Sequence, residues 1–195
     1  SDDGLDAENL RAYTLCYLAW KTGMRESELQ GLTHDCLDFK ETGETIISIR
    51  RSWSKFSKKM NETTKTGKTG AVPIGKTGTD LIKAVMAINP YGKKPKVFLF
   101  FGSEQDLPIS RESIRRPLQN ALKRAIGIKD PKAFTLHCFR HQANSEYLAA
   151  GLSGDRIRSV LRHETPEMTQ NYSHDIGEYR DILEAQEKME KLIQI

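Results

Sequence analysis

The chain has 195 residues, 37% of them hydrophobic and 29% charged, with a formal net charge of +4. This composition is typical of one globular domain, and no apolar stretch approaches the ~18 residues that cross a bilayer. The N-terminus is acidic and has no apolar run, so it does not resemble a signal peptide. Three scattered cysteines, Cys16, Cys36 and Cys138, indicate reduced thiols and a cytoplasmic protein rather than a disulfide framework.

The first half of the chain is predicted to contain helices on either side of a β-hairpin. Apolar spacing over residues 7–22 indicates a buried helix that ends at Gly23, and a short helix is expected in the following RESELQGL. The alternating segment 45–53 and the shorter segment 71–74 indicate two strands, which would pair across a long, basic loop. A helix is then expected over residues 77–88, before a strong turn signal.

The second half is predicted to be mainly helical. Residues 96–100, KVFLF, are apolar enough for a buried strand or another core segment. A helix is expected from about residue 110, although Pro117 would either kink it or mark its start. Further helices are expected over 137–150, after a cap at Ser153, from Thr165-Pro166, and after a cap formed by Asp175 with Glu178. The sequence therefore predicts a mainly helical α+β fold with a small antiparallel sheet and a hairpin.

Basic residues concentrate in the middle of the chain, whereas acidic residues gather at its two ends. Between residues 50 and 68, seven Lys and Arg residues stand against one acid, Glu62, and a second basic run extends from Arg111 to Arg124. This asymmetry favours a polyanionic partner, although charge alone is equally consistent with a solvated basic face. The candidate DNA-contacting residues are Arg50, Arg51, Lys55, Lys58, Lys59, Lys68 and Arg115.

Four short segments carry side chains suited to phosphate chemistry, and each is a weak signal alone. They are TGMRESEL (22–29), the loop TKTGKTGAVPI (64–74), HCFRH (137–141) and LRH (161–163). Tyr172 lies nine residues after His163. In this order they resemble the catalytic domain of the tyrosine recombinase (phage integrase) family, which reads TGxRxxEL, a hairpin Lys, HxxRH, LGH and Tyr. The resemblance covers about residues 10 to 175, and residues 176–195 would form a C-terminal helix.

The spacing between the segments also matches the family. Lys65 lies eight residues before Pro73, and Arg140 precedes His163 by 23 residues. Lys68 lies on the same loop, and only the spacing to Pro73 favours Lys65 over it. Two departures occur: Arg162 stands where the family has a Gly that allows close packing, and HCFR replaces HxLR. Neither departure removes a functional group, so activity is still expected.

The resemblance implies a site-specific DNA recombinase that cleaves and rejoins DNA through a 3′-phosphotyrosyl bond, for integration or excision of a mobile element. Arginine suits the phosphate because its planar fork donates two parallel hydrogen bonds and stays charged. The implied roles are Tyr172 as nucleophile, Arg25 and Arg140 as phosphate clamp, His163 as a further phosphate donor, Lys65 as general acid, His137 as proton acceptor, and Glu28 and His141 as supporting residues. The resemblance implies no metal, ATP or other cofactor, because the cationic side chains take that role.

The resemblance also bears on partners and domain organisation. Family members normally carry an N-terminal DNA-clamping domain, so we expect residues 1–195 to be the catalytic domain alone and to bind double-stranded DNA weakly and in a salt-sensitive manner. A tetramer on DNA is implied, with a monomer possible in isolation, and the C-terminal helix would pack either on a neighbouring protomer or on its own domain. A bacterial or phage-encoded, nucleoid-associated protein with no membrane partner is expected.

Three alternatives remain open from the sequence. His137 and His141 have the i, i+4 spacing of a zinc site, although the Glu of HExxH is missing and Arg140 would repel a dication. A second alternative is a non-catalytic DNA-binding module of the same fold. A third is a type IB topoisomerase that relaxes DNA through the same chemistry without exchanging strands between partners.

Overall fold

The computed structural model of the chain describes residues 6–63, 69–124, 130, 133–162 and 180–191. Its helices are α1 (Ala7–Thr22), α2 (Glu26–Gln30), α3 (Lys76–Ala87), α4 (Arg111–Arg124), α5 (Leu136–Ala149), α6 (Gly154–Leu161) and α7 (Arg180–Lys191). Its strands are β1 (Leu37–Phe39), β2 (Thr45–Ile49), β3 (Ser52–Ser54), β4 (Lys59–Asn61) and β5 (Gly70–Ile74). The mainly helical α+β prediction is confirmed. No helix in the described part of the chain has both the length and the apolar character that crossing a membrane requires.

The central helix α1 forms where the sequence predicts it. The carboxylate of Asp6 caps its N-terminus by accepting a 2.8 Å hydrogen bond from the Asn9 backbone N–H. Gly23 ends it in the left-handed conformation, at φ 60°. A Cβ at Gly23 would lie 2.1 Å from Leu161 Cδ2, so this position requires glycine for space as well as for backbone conformation. The helix packs against α3, α4 and α5, and its buried Leu15 and Leu18 lie in the core.

The predicted strand pair is confirmed, but the first strand is shorter than expected. β2 pairs antiparallel with β5, from Thr45 opposite Ile74 to Ile49 opposite Gly70. β1 pairs antiparallel with the other edge of β2, so the sheet has the order β1-β2-β5. The predicted strand 45–53 ends at Ile49, because the side chains of the next two residues, Arg50 and Arg51, both turn to the carboxylate of Asp35, at 2.8 and 3.0 Å. The chain then re-forms as β3, which pairs with β4 in a separate two-stranded sheet.

Two segments in the middle of the chain settle alternatives that the sequence left open. Of residues 96–100, Lys96 is exposed and residues 97–100 form a buried core segment rather than a strand. Leu99 and Phe100 are completely buried, and pairing is limited to isolated bridges from Phe98 and Phe101. Helix α4 begins at Arg111 and contains Pro117 in its interior, so of the two alternatives the structure excludes a start near the proline.

The C-terminal half follows the predicted helices as far as it is described. Ser153 caps α6, accepting from the Arg156 backbone N–H at 3.3 Å. The expected helix start at Thr165-Pro166 and the expected cap at Asp175 with Glu178 lie outside the described residues. Helix α7 packs on its own domain, against α5 and β5, and buries Ile182 and Met189. Within this single chain, α7 therefore packs in cis.

Candidate active site

Arg140 joins two of the predicted site segments. It lies on α5 and is buried, and its guanidinium donates one hydrogen bond to the carbonyl of Gly23 and another to the carbonyl of Leu161. Gly23 lies two residues before Arg25, and Leu161 lies two residues before His163. Because a guanidinium has five N–H donors, these two bonds leave others for an anion.

The carboxylate of Glu28 lies between two other guanidiniums. As the third residue of α2, Glu28 reaches back to the helix start, where it accepts from the Arg25 backbone N–H at 2.9 Å and from Arg25 Nη1 at 3.0 Å. Its Oε2 also accepts from Arg162 Nη2 at 2.8 Å. Glu28 and Arg162 are almost fully buried, whereas 24% of the Arg25 side chain is exposed. Arg25 is therefore held in place but still open to solvent.

This cluster carries an excess of positive charge. Arg25, Arg140 and Arg162 contribute three positive charges and Glu28 one negative charge, which leaves two in excess. Burial, together with the charges of Arg25 and Arg162, lowers the pKa of Arg140 to about 10. Burial alone would raise the pKa of Glu28, but Arg162 and Arg25 hold it below its ordinary value. Such a site attracts an anion, because a bound anion relieves the repulsion among the cations.

His137 lies at the edge of the cluster as a neutral base. Its pKa is lowered by partial burial and by the charges of His141, Arg140 and Arg25. The rings of His137 and His141 meet edge to face, with their centroids 4.4 Å apart. Both line a groove of about 460 Å³ that also contacts Arg140 and Arg158. A neutral imidazole can accept a proton, which is the role that the sequence predicts for His137.

The described residues do not form a zinc site around the two histidines. No group of three His, Cys, Asp or Glu side chains that could hold a metal ion occurs within the described ranges. His137 and His141 also flank the approach to Arg140, whose charge opposes a bound dication.

Four predicted site residues, Lys65, Lys68, His163 and Tyr172, lie outside the described residues. The ends of two of their segments are nevertheless described, and these ends are neighbours. Gly70, which begins β5 after the loop of Lys65 and Lys68, contacts the side chain of Arg162, the residue before His163. A Cβ added to Gly70 would lie 2.9 Å from Arg162 Cδ.

Most of the predicted DNA-contacting cations have carboxylate partners within the protein. Arg50 and Arg51 pair with Asp35 as described above, and Arg51 also pairs with Glu62. Lys55 bonds Glu26 at 2.8 Å, and Arg115 bonds Glu112 at 3.0 Å. Lys58 and Lys59 are exposed beside the β3–β4 turn and pair with no carboxylate among the described residues. These two lysines are the ones that could bind phosphate without first breaking an ion pair in the described part of the chain.

Arg162 is the residue whose part in the site the sequence did not reveal. Its backbone has φ 53°, a left-handed conformation at the end of α6. The family glycine at this position was expected to serve close packing, but the backbone conformation by itself favours glycine here. A residue just after the last apolar position of an amphipathic helix is often left-handed, and that signal could have predicted the conformation. Nothing in the sequence pairs Arg162 with Glu28, 134 positions away.

Known proteins resemble this chain over almost its whole length. The model of the phage integrase family matches residues 2–178. Transposase B from transposon Tn554 of Staphylococcus aureus is 28% identical over 182 residues, which cover 90% of this chain and 27% of the transposase. Tyrosine recombinase XerD of Halalkalibacterium halodurans is 28% identical over 177 residues, 89% of this chain and 52% of XerD. The chain thus spans between about a quarter and a half of these relatives.

Solved structures share the fold at lower sequence identity. The Tn1549 transposon integrase in complex with circular intermediate DNA superposes with a TM-score of 0.63 at 20% identity, over 93% of this chain and 60% of the integrase. The XerH site-specific recombinase bound to difH substrate gives a TM-score of 0.62 at 16% identity, over 99% of this chain and 48% of XerH. At these identities the likeness establishes the fold.

Proposed function

Because this chain belongs to the phage integrase family, we propose that it is the catalytic domain of a site-specific recombinase that cleaves and rejoins DNA through a phosphotyrosyl bond at Tyr172. The observation that carries the proposal is the cluster in which Arg25 and Arg162 bond the Glu28 carboxylate and Arg140 lies within electrostatic range of all three, with an excess of positive charge. A phosphodiester fits such a cluster, because its charge grows on the non-bridging oxygens as a nucleophile attacks.

The contacts of the two predicted arginines support their proposed role as a phosphate clamp. Arg25 is fixed by Glu28 but partly open to solvent, so it can reach a substrate oxygen. Arg140 is fixed by the carbonyls of Gly23 and Leu161 and retains further donors. Donors held in place before the substrate arrives need no reorganisation during the reaction, which is how they stabilise a transition state. We assign a further phosphate hydrogen bond to His163.

Activation of the nucleophile requires a proton acceptor and positive charge. A free tyrosine has a pKa of ~10, so about one in a thousand is ionised at pH 7, a cost of ~4 kcal/mol. The neighbouring guanidiniums would reduce this cost, and His137, whose lowered pKa keeps it neutral, would accept the phenolic proton. His141, in ring contact with His137, would orient it.

The reaction then balances without an external energy source. Tyr172 Oη bonds to phosphorus, the bond from phosphorus to the 5′ oxygen breaks, and Lys65 gives that oxygen its proton. The products are a 3′-phosphotyrosyl bond and a free 5′ hydroxyl. Attack by a 5′ hydroxyl reverses the step, and because one ester replaces another, rejoining needs no ATP.

The biological setting is proposed on the same basis. We propose that the substrate is double-stranded DNA of a mobile element, bound by protomers that assemble as a tetramer on the DNA. Residues 1–195 would form the catalytic domain, with DNA clamping supplied by another domain. The cytoplasm of a bacterium, at the nucleoid, is the compartment where such a substrate and three free thiols would be found together.

The test is covalent trapping on nicked DNA. A library of duplexes with randomised sequence beside a nick lets the short 5′-hydroxyl product dissociate, so cleavage leaves the protein attached to DNA. We expect an adduct that survives denaturing gel electrophoresis and a nucleotide on the tryptic peptide that contains Tyr172. DNA binding without an adduct would leave the binding-module alternative. Relaxation of supercoiled DNA with no joining between different duplexes would indicate the topoisomerase alternative.

A further inference from the structure

We propose that Arg162 is a positioning residue of this site, which fixes Arg25 through Glu28 and braces the segment leading to His163 against the strand that follows the Lys65 loop. The inference rests on the proposed function, because it assigns Arg162 a part in the same DNA-cleavage step. It concerns a residue that departs from the LGH pattern of the family, where glycine has no side chain to make these contacts.

The first support is a buried chain of charged contacts. Arg162 Nη2 donates to Glu28 Oε2 at 2.8 Å, and Glu28 Oε1 accepts from Arg25 Nη1 at 3.0 Å. The Glu28 side chain is 1% exposed and that of Arg162 is 5% exposed. Without Arg162, the buried Glu28 carboxylate would have one charged partner, and burial would favour its protonation, which weakens its bond to Arg25. Arg162 supplies the second partner and so keeps Glu28 ionised while Arg25 remains partly exposed.

The second support is the way in which Arg162 anchors the end of α6. Its left-handed backbone, at φ 53°, is unfavourable for a residue with a Cβ. Its guanidinium compensates by folding back, with Nη1 donating to the Val160 carbonyl at 2.9 Å while Nη2 bonds Glu28. The residue directly before His163 is thereby tied to α2 as well as to its own helix.

The third support is the space that Gly70 leaves for Arg162. The aliphatic part of Arg162 lies against Gly70, where an added Cβ would be 2.9 Å from Cδ and 3.4 Å from Cγ. Gly70 is the first residue of β5, on the same strand as Pro73, whose spacing to Lys65 identified the candidate general acid. Arg162 thus contacts or adjoins the segments that carry Arg25, Lys65 and His163.

The central experiment measures the single-turnover rate at which Arg162→Met and Arg162→Lys cleave the nicked DNA of the trapping experiment. The DNA affinity and the melting temperature of each variant are measured in parallel. We expect Arg162→Met to slow cleavage by about 100-fold, the effect of misplacing a reacting group by ~1 Å, with little change in DNA affinity. Arg162→Lys should recover part of the rate, since it keeps the charge but not the fork. Wild-type cleavage by Arg162→Met, or no recovery with Lys, would overturn the inference.

A double-mutant cycle tests the route through Glu28. If Arg162 acts by way of that carboxylate, Arg162→Met should slow the Glu28→Gln variant far less than it slows the wild type. The same loss in both backgrounds would overturn the positioning role. Absence of a wild-type adduct would instead contradict the proposed function, so the two failures are distinguishable.

A pair of glycine variants keeps the inference testable if Arg162→Met does not fold. Gly70→Ala displaces the Arg162 side chain without removing any charged group. Gly75→Ala, at the residue between β5 and α3, adds a Cβ that meets no atom within 4 Å. We expect Gly70→Ala to slow cleavage at least about 10-fold relative to Gly75→Ala, by the same misplacement of Arg25. Equal rates in two folded variants would overturn the role of Arg162.

Discussion

The amine of Lys21 donates a 2.6 Å hydrogen bond to the backbone carbonyl of Gln186, across the contact between α1 and α7. The contact is reciprocal, because Gln186 Nε2 donates to the Lys21 carbonyl at 3.3 Å and to the Pro73 carbonyl at 3.0 Å. Lys21 is completely buried, and its amine lies 4.1 Å from the centre of the Trp20 ring. The C-terminal helix is therefore fastened to its own domain through a buried cation.

The first prediction is a pH dependence of stability that arises from Lys21. Burial lowers its pKa to about 8, against the opposing charge of Glu190. The unfolded lysine has a pKa of ~10.4, so between about pH 8 and pH 10 the unfolded state binds more protons and the contribution of Lys21 to stability rises with pH, by up to ~3 kcal/mol. Below about pH 8 the full cost of burying the charge is present. Urea unfolding at several pH values, compared with Lys21→Met, measures this contribution.

The comparison with the variant is essential because Cys16 acts in the opposite sense. Burial raises the pKa of its thiol to about 12, so the unfolded thiol ionises first and stability falls above about pH 8.5. Subtracting the Lys21→Met curve removes this shared contribution. Lys76→Met, at an exposed lysine on α3, is the matched control. Parallel curves for wild type and Lys21→Met would contradict the prediction.

The second prediction concerns Tyr172, the proposed nucleophile. Tyr172→Phe should form no covalent adduct with nicked DNA, because it lacks the oxygen that we propose attacks phosphorus, while its DNA affinity should match that of the wild type. Tyr13→Phe removes the same hydroxyl group from an exposed position on α1 and should react normally. Adduct formation by Tyr172→Phe would show that another residue is the nucleophile.

The third prediction separates the two proposed clamp arginines, Arg25 and Arg140, by their effects on the free energy of unfolding. Arg25→Lys and Arg140→Lys should each slow cleavage about 100- to 1,000-fold, the usual loss for one preorganised donor. Arg140→Lys should also lower the free energy of unfolding by ~2 kcal/mol, because its guanidinium fork bonds the Gly23 and Leu161 carbonyls. Arg25, partly exposed, should have a smaller effect. Single-turnover rates with urea unfolding test this, and equal losses of stability would contradict it.

The fold could be predicted where local signals and packing agree. Helix α1 has a capping residue, an apolar face and a terminal glycine, and its observed bounds match those predicted. The strand predicted over 45–53 ends before Arg50. Its early end could not be predicted, because it depends on the ion pair between Arg50 and Asp35, which lies in another segment of the chain. For residues 96–100 the sequence could not distinguish a strand from another core segment, because buried residues are apolar whether or not they form a strand.

The site could be predicted as a set of residues but not as a set of contacts. Order and spacing of short motifs identified Arg25 and Arg140, which the structure brings into one charged cluster. The same reasoning treated Arg162 as a change in packing, because a sequence does not reveal that its guanidinium reaches Glu28 across the fold. The DNA-contacting assignments are the least constrained by sequence, since surface charge does not indicate which cations already have partners, as Arg51 has in Asp35.

The fourth prediction tests Lys58 and Lys59, at the β3–β4 hairpin, through the salt dependence of DNA binding. Neutralising Lys58 and Lys59 together should weaken affinity for any duplex sequence and reduce the slope of log affinity against log salt by about 2, roughly one for each phosphate that the protein no longer neutralises. Lys76→Gln removes one positive charge from an exposed site on α3 that is paired with Asp80, and it should leave the slope almost unchanged. The control also changes the net charge. If the lost charge only weakened the general attraction to DNA, the slope would fall by the same amount per charge removed in the double variant and in Lys76→Gln. If Lys58 and Lys59 bind phosphate, the slope falls only in the double variant. Equal changes per charge would therefore remove Lys58 and Lys59 from the DNA interface, and a weakening confined to one sequence would mean that they bind bases rather than the backbone.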